Sequence, residues 1–176
     1  MFKELITNNL IIRPLTLKDV PNIFQLSQEQ GLKEWIPDQV YKDEQHTKEV
    51  LEFLITQYNF EIDPVKRPFV LAIETKSGEL IGHVGLSARG DETEIGYAIG
   101  EKFVGNGFAT QAVSSLSLWA INCSIAKEII LNYSDNLSEL TIVLPNKRAK
   151  IFLLNELKNI CKENVFAPEI ISIEEF

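Results

Sequence analysis

Apolar and polar positions follow two different rhythms along the chain, and each change of rhythm marks an element. The run "NLIIRPL" is short, largely apolar and closed by Pro14, which reads as a strand ended by a residue with no amide donor. "TLKD", Thr16 to Asp19, then has the residues of a capping box and introduces an amphipathic helix carrying Val20, Ile23, Phe24 and Leu26 inward. "GLKEWIPDQVY" reads as a loop with Trp35 and Pro37, and Val50, Leu51, Leu54 and Tyr58 recur with the spacing of a second helix from about Thr47 to Tyr58.

The rhythm then shortens. "RPFVLAIE", "TKSGE" and "LIGHVGLS" read as strand, turn and strand, and "ETEIGYAIG" adds a third after the turn signal "ARGDE", giving an antiparallel meander. From Gly107 to about Asn122, Phe108, Ala112, Val113, Leu116, Trp119 and Ala120 mark a central helix. "CSIAKEIILNYSDNL" fits either an extension of that helix or a short extra one. "SELTIVL" is a strand, parallel to the one before the helix if the crossover is right-handed. "NKRAKIFLLNELKNICKEN" is a helix with Ile151, Leu154, Leu157 and Ile160 available to a core, and "PEIISIEEF" ends as a strand. With no repeat, linker or low-complexity tract, the expectation is one domain over 1–176.

A net charge of −8 argues against a broad nucleic-acid face, which needs clustered Lys and Arg, so any phosphate must be held locally by backbone amides. Cys123 and Cys161 are too few for a disulfide framework and read as reduced core thiols; with His46 and His83 they make no metal-ligand spacing, so no metal is expected. "MFKELITNNLIIRPL" has no secretory h-region and no later apolar run approaches bilayer length, so the expected location is the cytoplasm, off the membrane.

The stretch with the clearest chemistry is "EKFVGNGFATQAV", where Gly105 and Gly107 flank Asn106 as a helix begins. A helix start presents amides without intrahelical partners and the positive end of the helix dipole. Glycines there permit unusual dihedrals and let a bulky anion reach the main chain, so a pyrophosphate is the natural occupant. The alternative is a plain tight turn with no ligand. Neither G-K-[ST] nor G-x-G-x-x-G is present, which sets aside nucleoside triphosphates and dinucleotides.

Taken together, "LIIRPLTLKDVPNIFQL", "GELIGHVGL", "EIGYAIGEKFVGNGFATQAV" and "TIVLPNKRAK" resemble the GNAT acetyltransferase superfamily, in particular its ribosomal-protein N-terminal alanine acetyltransferase (RimJ/RimL-like) branch. The resemblance implies an α/β (α+β) fold: a mixed, mostly antiparallel central sheet flanked by helices, with splayed fourth and fifth strands. It implies acetyl-CoA in the gap, its pyrophosphate on the amides of Val104, Gly105, Asn106, Gly107, Phe108, Ala109 and Thr110. The pantetheine arm would pair with the strand before the loop, around Ala98 and Ile99, and Asn146 matches an asparagine that often contacts the cofactor. In the signature [Q/R]-x-x-G-x-[G/A] the first position departs, being Val104.

Transfer of acetyl to an amine needs a group to take the amine's proton and benefits from an acid for the leaving thiolate. Glu94, opening "EIGYAI", matches the acidic residue that many relatives turn to the cleft; the other reading is an exposed strand carboxylate. His83 on the neighbouring strand could relay a proton with Glu94 or be structural. Trp35 lies in the loop that covers the acceptor in relatives, and could contact substrate or be buried. Where relatives have Ser or Tyr as acid, this chain has Ala149 and Leu153, and its C-terminal end is shortened to one strand. The resulting expectation is a cytoplasmic acetyl-CoA-dependent N-acetyltransferase acting on a protein N-terminus or small amine, monomeric or homodimeric. Its rival is a CoA-binding module of the same fold that has lost catalysis and serves as a sensor or interaction partner.

Overall fold

Five strands form one antiparallel sheet in chain order: β1 (Leu5–Ile6), β2 (Leu10–Pro14), β3 (Phe69–Thr75), β4 (Leu80–Arg89) and β5 (Glu92–Ile99). The structure, a computed structural model, describes residues 2–90, 92–133, 137–144, 147–160 and 167–172. The expected meander is β3, β4 and β5; β1 is an added short strand, paired through Leu5 and Ile12. Two compact units divide the chain, 1–116 and 117–176.

In the first unit the registers decide which side chains share a face. Arg13 pairs with Ala72, Ala72 with His83 and His83 with Ala98, so these four make one row. The next row, Ile12, Ile73, Gly82 and Ile99, points to the opposite face. Helices α1 (Val20–Ser27), α2 (Gln30–Trp35) and α3 (Glu44–Gln57) follow β2. Val20, Ile23, Leu26, Leu32 and Leu51 from these helices pack in one core with Ala72 and Ala98, which assigns the helices to the first face. Leu10, Ile12, Leu71, Ile73 and Val84 are fully buried on the second.

The capping residues read from the sequence are in place, with one added role. The Asp19 carboxylate accepts from the Thr16 N–H at 2.7 Å and from both terminal nitrogens of Arg13 at 2.9 Å, while Arg13 Nε donates to Glu74 at 2.6 Å. Burial works to raise the Asp19 pKa, but the Arg13 and Thr16 hydrogen bonds outweigh it and hold the carboxyl below its ordinary range. Asp43 caps α3 by accepting from the His46 N–H at 2.8 Å. Tyr58 closes the helical layer onto the sheet: its hydroxyl accepts from the Leu15 N–H at 2.9 Å and donates to the Val70 carbonyl. Helix α2 departs from the loop read over "GLKEW". Its six residues are too short to show a hydrophobic period, and only Leu32 is buried.

Helix α4 (Phe108–Tyr133) runs 26 residues, so "CSIAKEIILNY" extends the central helix instead of forming another. Ala112 and Leu116 are fully buried, and Gln111 accepts from the Thr7 hydroxyl between β1 and β2 at 3.1 Å. In the second unit β6 (Thr141–Leu144) pairs in parallel with β7 (Glu169–Ser172), on either side of α5 (Lys147–Ile160) in the chain. Its core holds Ala126, Leu153, Leu157 and Ile170. Ile151, expected to be available to a core, is exposed, and Leu153 is buried in its stead: the inward stripe of α5 passes through 153 and 157. Cys123 is half-buried and forms no disulfide among the described residues; Cys161 lies outside the described residues.

Candidate functional site

The glycine loop joins β5 to α4 through a tight 3-10 turn at Glu101–Phe103. Gly105 and Gly107 have φ of 83° and 71°, the left-handed region where a side chain is strained, so each glycine is required by the backbone path. A Cβ built on either meets no atom within 4 Å, so the space above the loop is open. The Asn106 side-chain amide turns back to donate to the Phe103 carbonyl at 3.0 Å, which braces the turn from within.

The first hydrogen bond of α4 runs from the Gln111 N–H to the Gly107 carbonyl, at 3.1 Å. Among the described residues, the N–H groups of Gly105, Asn106, Gly107, Phe108, Ala109 and Thr110 find no acceptor. Val104 differs: its N–H donates to the Glu101 carbonyl at 3.3 Å, so it leaves the expected set of donors. Six amides without an acceptor lie at the start of a long helix, whose dipole is positive at that end. The nearby Lys102 is engaged by Glu79 at 2.6 Å.

Two carboxylates anchor the loop's entry. Glu29 Oε2 accepts from the Glu101 N–H at 2.7 Å, and Glu101 Oε1 accepts from the Gly31 N–H at 2.8 Å, a reciprocal clasp between the α1–α2 junction and the end of β5. Nothing in the local sequence signals this pair, whose members lie 72 positions apart.

Among the described residues β5 pairs only with β4, so its other side is an open sheet edge. The Gly100 N–H donates to the Ile81 carbonyl at 2.9 Å, which sets the phase of the ladder: Ala98 and Gly96 spend their main-chain groups on β4, while Tyr97 and Ile99 turn theirs outward. The Ala98 carbonyl agrees, lying only 2.0 Å from where a Cβ on Gly82 would stand. Of the two residues expected to pair with an extended ligand, Ile99 turns its main-chain groups away from β4 and Ala98 does not; Tyr97 shares the phase of Ile99.

The catalytic candidates do not meet. Glu94 is exposed, opposite Ser87; His83 is opposite Ala98, four residues further along β5, or about 13 Å. They share a face but are too far apart for a direct proton relay. His83 is instead bonded through Nε2 to Gln39 Oε1 at 2.7 Å, and burial depresses its pKa to about 4, so the ring is neutral near pH 7. Trp35 ends α2 and is 79% exposed, which rules out its burial in a core. Asn146 lies outside the described residues.

On the face of His83 and Glu94, a cavity of about 310 Å³ opens between the sheet and the α1–α3 layer. Gln39, Tyr41, Ser87 and Gly96 are among its lining residues, all unassigned from the sequence. Ser87 could have been found by counting the hairpin register from Glu94; Gln39 lies in the segment that was read as a cover. Among the described residues no His, Cys, Asp and Glu group could hold a metal ion, and no helix is long and apolar enough to cross a membrane.

The five-stranded antiparallel sheet is followed by a glycine-bearing turn into α4. The family model for an acetyltransferase (GNAT) domain matches residues 9–141, and the chain belongs to the GNAT acetyltransferases. No curated protein sequence matches it significantly. Solved structures share the fold at low identity: a GNAT-family acetyltransferase from Bacillus anthracis (TM-score 0.54, 18% identity, covering 66% of this chain and 64% of that one) and an acetyltransferase from Agrobacterium tumefaciens str. C58 (0.54, 24%, 68% and 67%). A third is RimL, a ribosomal L7/L12 alpha-N-protein acetyltransferase in complex with coenzyme A (0.51, 20%, 64% of each chain). The match thus spans slightly under two thirds of the Bacillus anthracis protein's own length.

Proposed function

We propose that the chain is an acetyl-CoA-dependent N-acetyltransferase, transferring acetyl by direct attack of a primary amine, and that residues 1–176 serve this one activity. The carrying observation is the set of six unspent amides from Gly105 to Thr110, reached from the open edge of β5. These groups fit a diphosphate followed by an extended amide-bearing arm, with Tyr97 and Ile99 supplying the edge. Bound acetyl-CoA would supply an activated thioester.

The chain's own residues do the rest. The exposed Glu94 carboxylate accepts the proton that the amine nitrogen loses as it forms its bond to the acetyl carbon, and the sulfur departs as thiolate, taking a proton from solvent. His83, held neutral and bonded to Gln39, positions the turn over the cavity and is not the base. The acceptor is a protein N-terminus or a small amine, and the expected setting is the cytoplasm, as monomer or homodimer.

One observation favours a second reading, a CoA-binding module without turnover: Leu153, where relatives carry a tyrosine, is fully buried among Ala126, Leu157 and Ile170 and offers no acid. Incubating the protein with acetyl-CoA and a panel of amines, and following release of free CoA thiol, separates the two. Amine-dependent release supports the enzyme; CoA binding without release supports the module.

A further inference from the structure

We infer that the cavity between the sheet and the α1–α3 layer receives an uncharged, mainly apolar side chain of the acceptor, on the carbon bearing the reacting amine or close to it. This rests on the acetyltransferase reading and adds a substrate class to it.

Position comes first. The floor is formed by Val70, Gly85 and Gly96, which lie in one cross-strand row, with His83 in the row beside it. That row ends at Gly96 on the edge strand. Gly96 is exposed, and among the described residues no atom lies within 4 Å of where its Cβ would be, so this end of the row has open space above it. A molecule seated in the cavity can therefore extend across Gly96 to the open side of β5, where Tyr97 turns out its main-chain groups.

Chemistry decides what is seated. Leu15, Ile23, Val50, Leu51 and Leu54, with Val70 and Leu86, make the apolar part of the lining. The polar groups within are neutral: His83, whose Nε2–H is spent on Gln39, with Tyr41 and Ser87. Asp38 and His46 also line the cavity and are exposed, and His46 Nδ1 accepts from the Lys42 N–H at 3.3 Å. An ammonium or carboxylate carried into the apolar part of the lining would lose its water with no buried countercharge, since Asp38 is exposed, whereas an apolar side chain gains from burial. The volume, about 310 Å³, is at the small end for ligand sites and suits one side chain with its amine, not a folded polypeptide.

The test compares α-amides as acceptors with the full chain and acetyl-CoA. Leucinamide and phenylalaninamide should exceed lysinamide and the α-amide of glutamate in kcat/KM by about 10-fold or more. Calorimetry of the same amides with the CoA-loaded protein should give the same order, which reads the cavity even without turnover. Ser87→Phe should weaken leucinamide by about 10-fold with CoA affinity unchanged, since it fills the cavity and leaves the glycine loop intact. If that variant fails to fold, Val50→Trp narrows the cavity from α3 and carries the same expectation. Equal or better use of lysinamide, no binding of leucinamide to the CoA-loaded protein, or unchanged leucinamide affinity in the folded variant overturns the inference. Loss of CoA binding in the wild type would overturn the acetyltransferase reading itself, a separate result.

Discussion

His83 Nε2 and Gln39 Oε1 lie 2.7 Å apart, joining the centre of the sheet to the turn that follows α2. With the Gln39 oxygen accepting, His83 is the Nε2–H tautomer, and burial keeps the ring neutral down to about pH 4. In the unfolded chain the same ring takes up a proton near pH 6.5. The unfolded state therefore binds more protons between about 6.5 and 4, and His83 costs stability progressively as pH falls through that window.

The expected outcome is a melting temperature that declines from pH 7 to pH 5, with a shallower decline in His83→Gln, which cannot be protonated. Parallel profiles for the two proteins would show that His83 is not the group responsible.

Asp19 should matter to stability far more than a surface acid. It is 4% exposed, caps the turn after β2 and binds Arg13 through both oxygens. Asp19→Ala leaves the guanidinium with Glu74 and the Pro14 carbonyl, and the Thr16 N–H without its acceptor, and should cost about 2–3 kcal/mol. Denaturant unfolding measures it; a loss below about 0.5 kcal/mol, typical of exposed pairs, would contradict the burial argument.

If Glu94 is the base as proposed, Glu94→Gln should lower kcat by about 100-fold or more while leaving CoA affinity unchanged, because the residue shares the cavity's sheet face with Gly96 and lies at the far end of β5 from the glycine loop. An unchanged kcat would remove Glu94 as the base.

Much of the fold was legible because its signals are local. The meander follows from alternation around "TKSGE" and "ARGDE", and the first helix from the capping residues at Thr16 and Asp19. The conformation of the glycine loop was legible because a left-handed backbone favours glycine, as at Gly105 and Gly107. What could not be read depends on contacts distant in sequence. The Glu29–Glu101 clasp, the Gln39–His83 bond and the spending of Ala98 on β4 each require the sheet register or the layer above it. The separation of His83 from Glu94 is of the same kind: eleven positions apart in sequence, they are set about 13 Å apart by the hairpin.

The central claim is that bare amides from Gly105 to Thr110 hold the diphosphate of CoA, and calorimetric titration of CoA into wild type and Gly107→Val tests it most directly. Wild type should bind below millimolar concentration, and the variant, with a branched side chain forced into a left-handed position above the amides, should bind at least about 10-fold more weakly while retaining its circular dichroism spectrum. No heat of binding in wild type at millimolar CoA, or equal affinity in a folded Gly107→Val, would contradict the account.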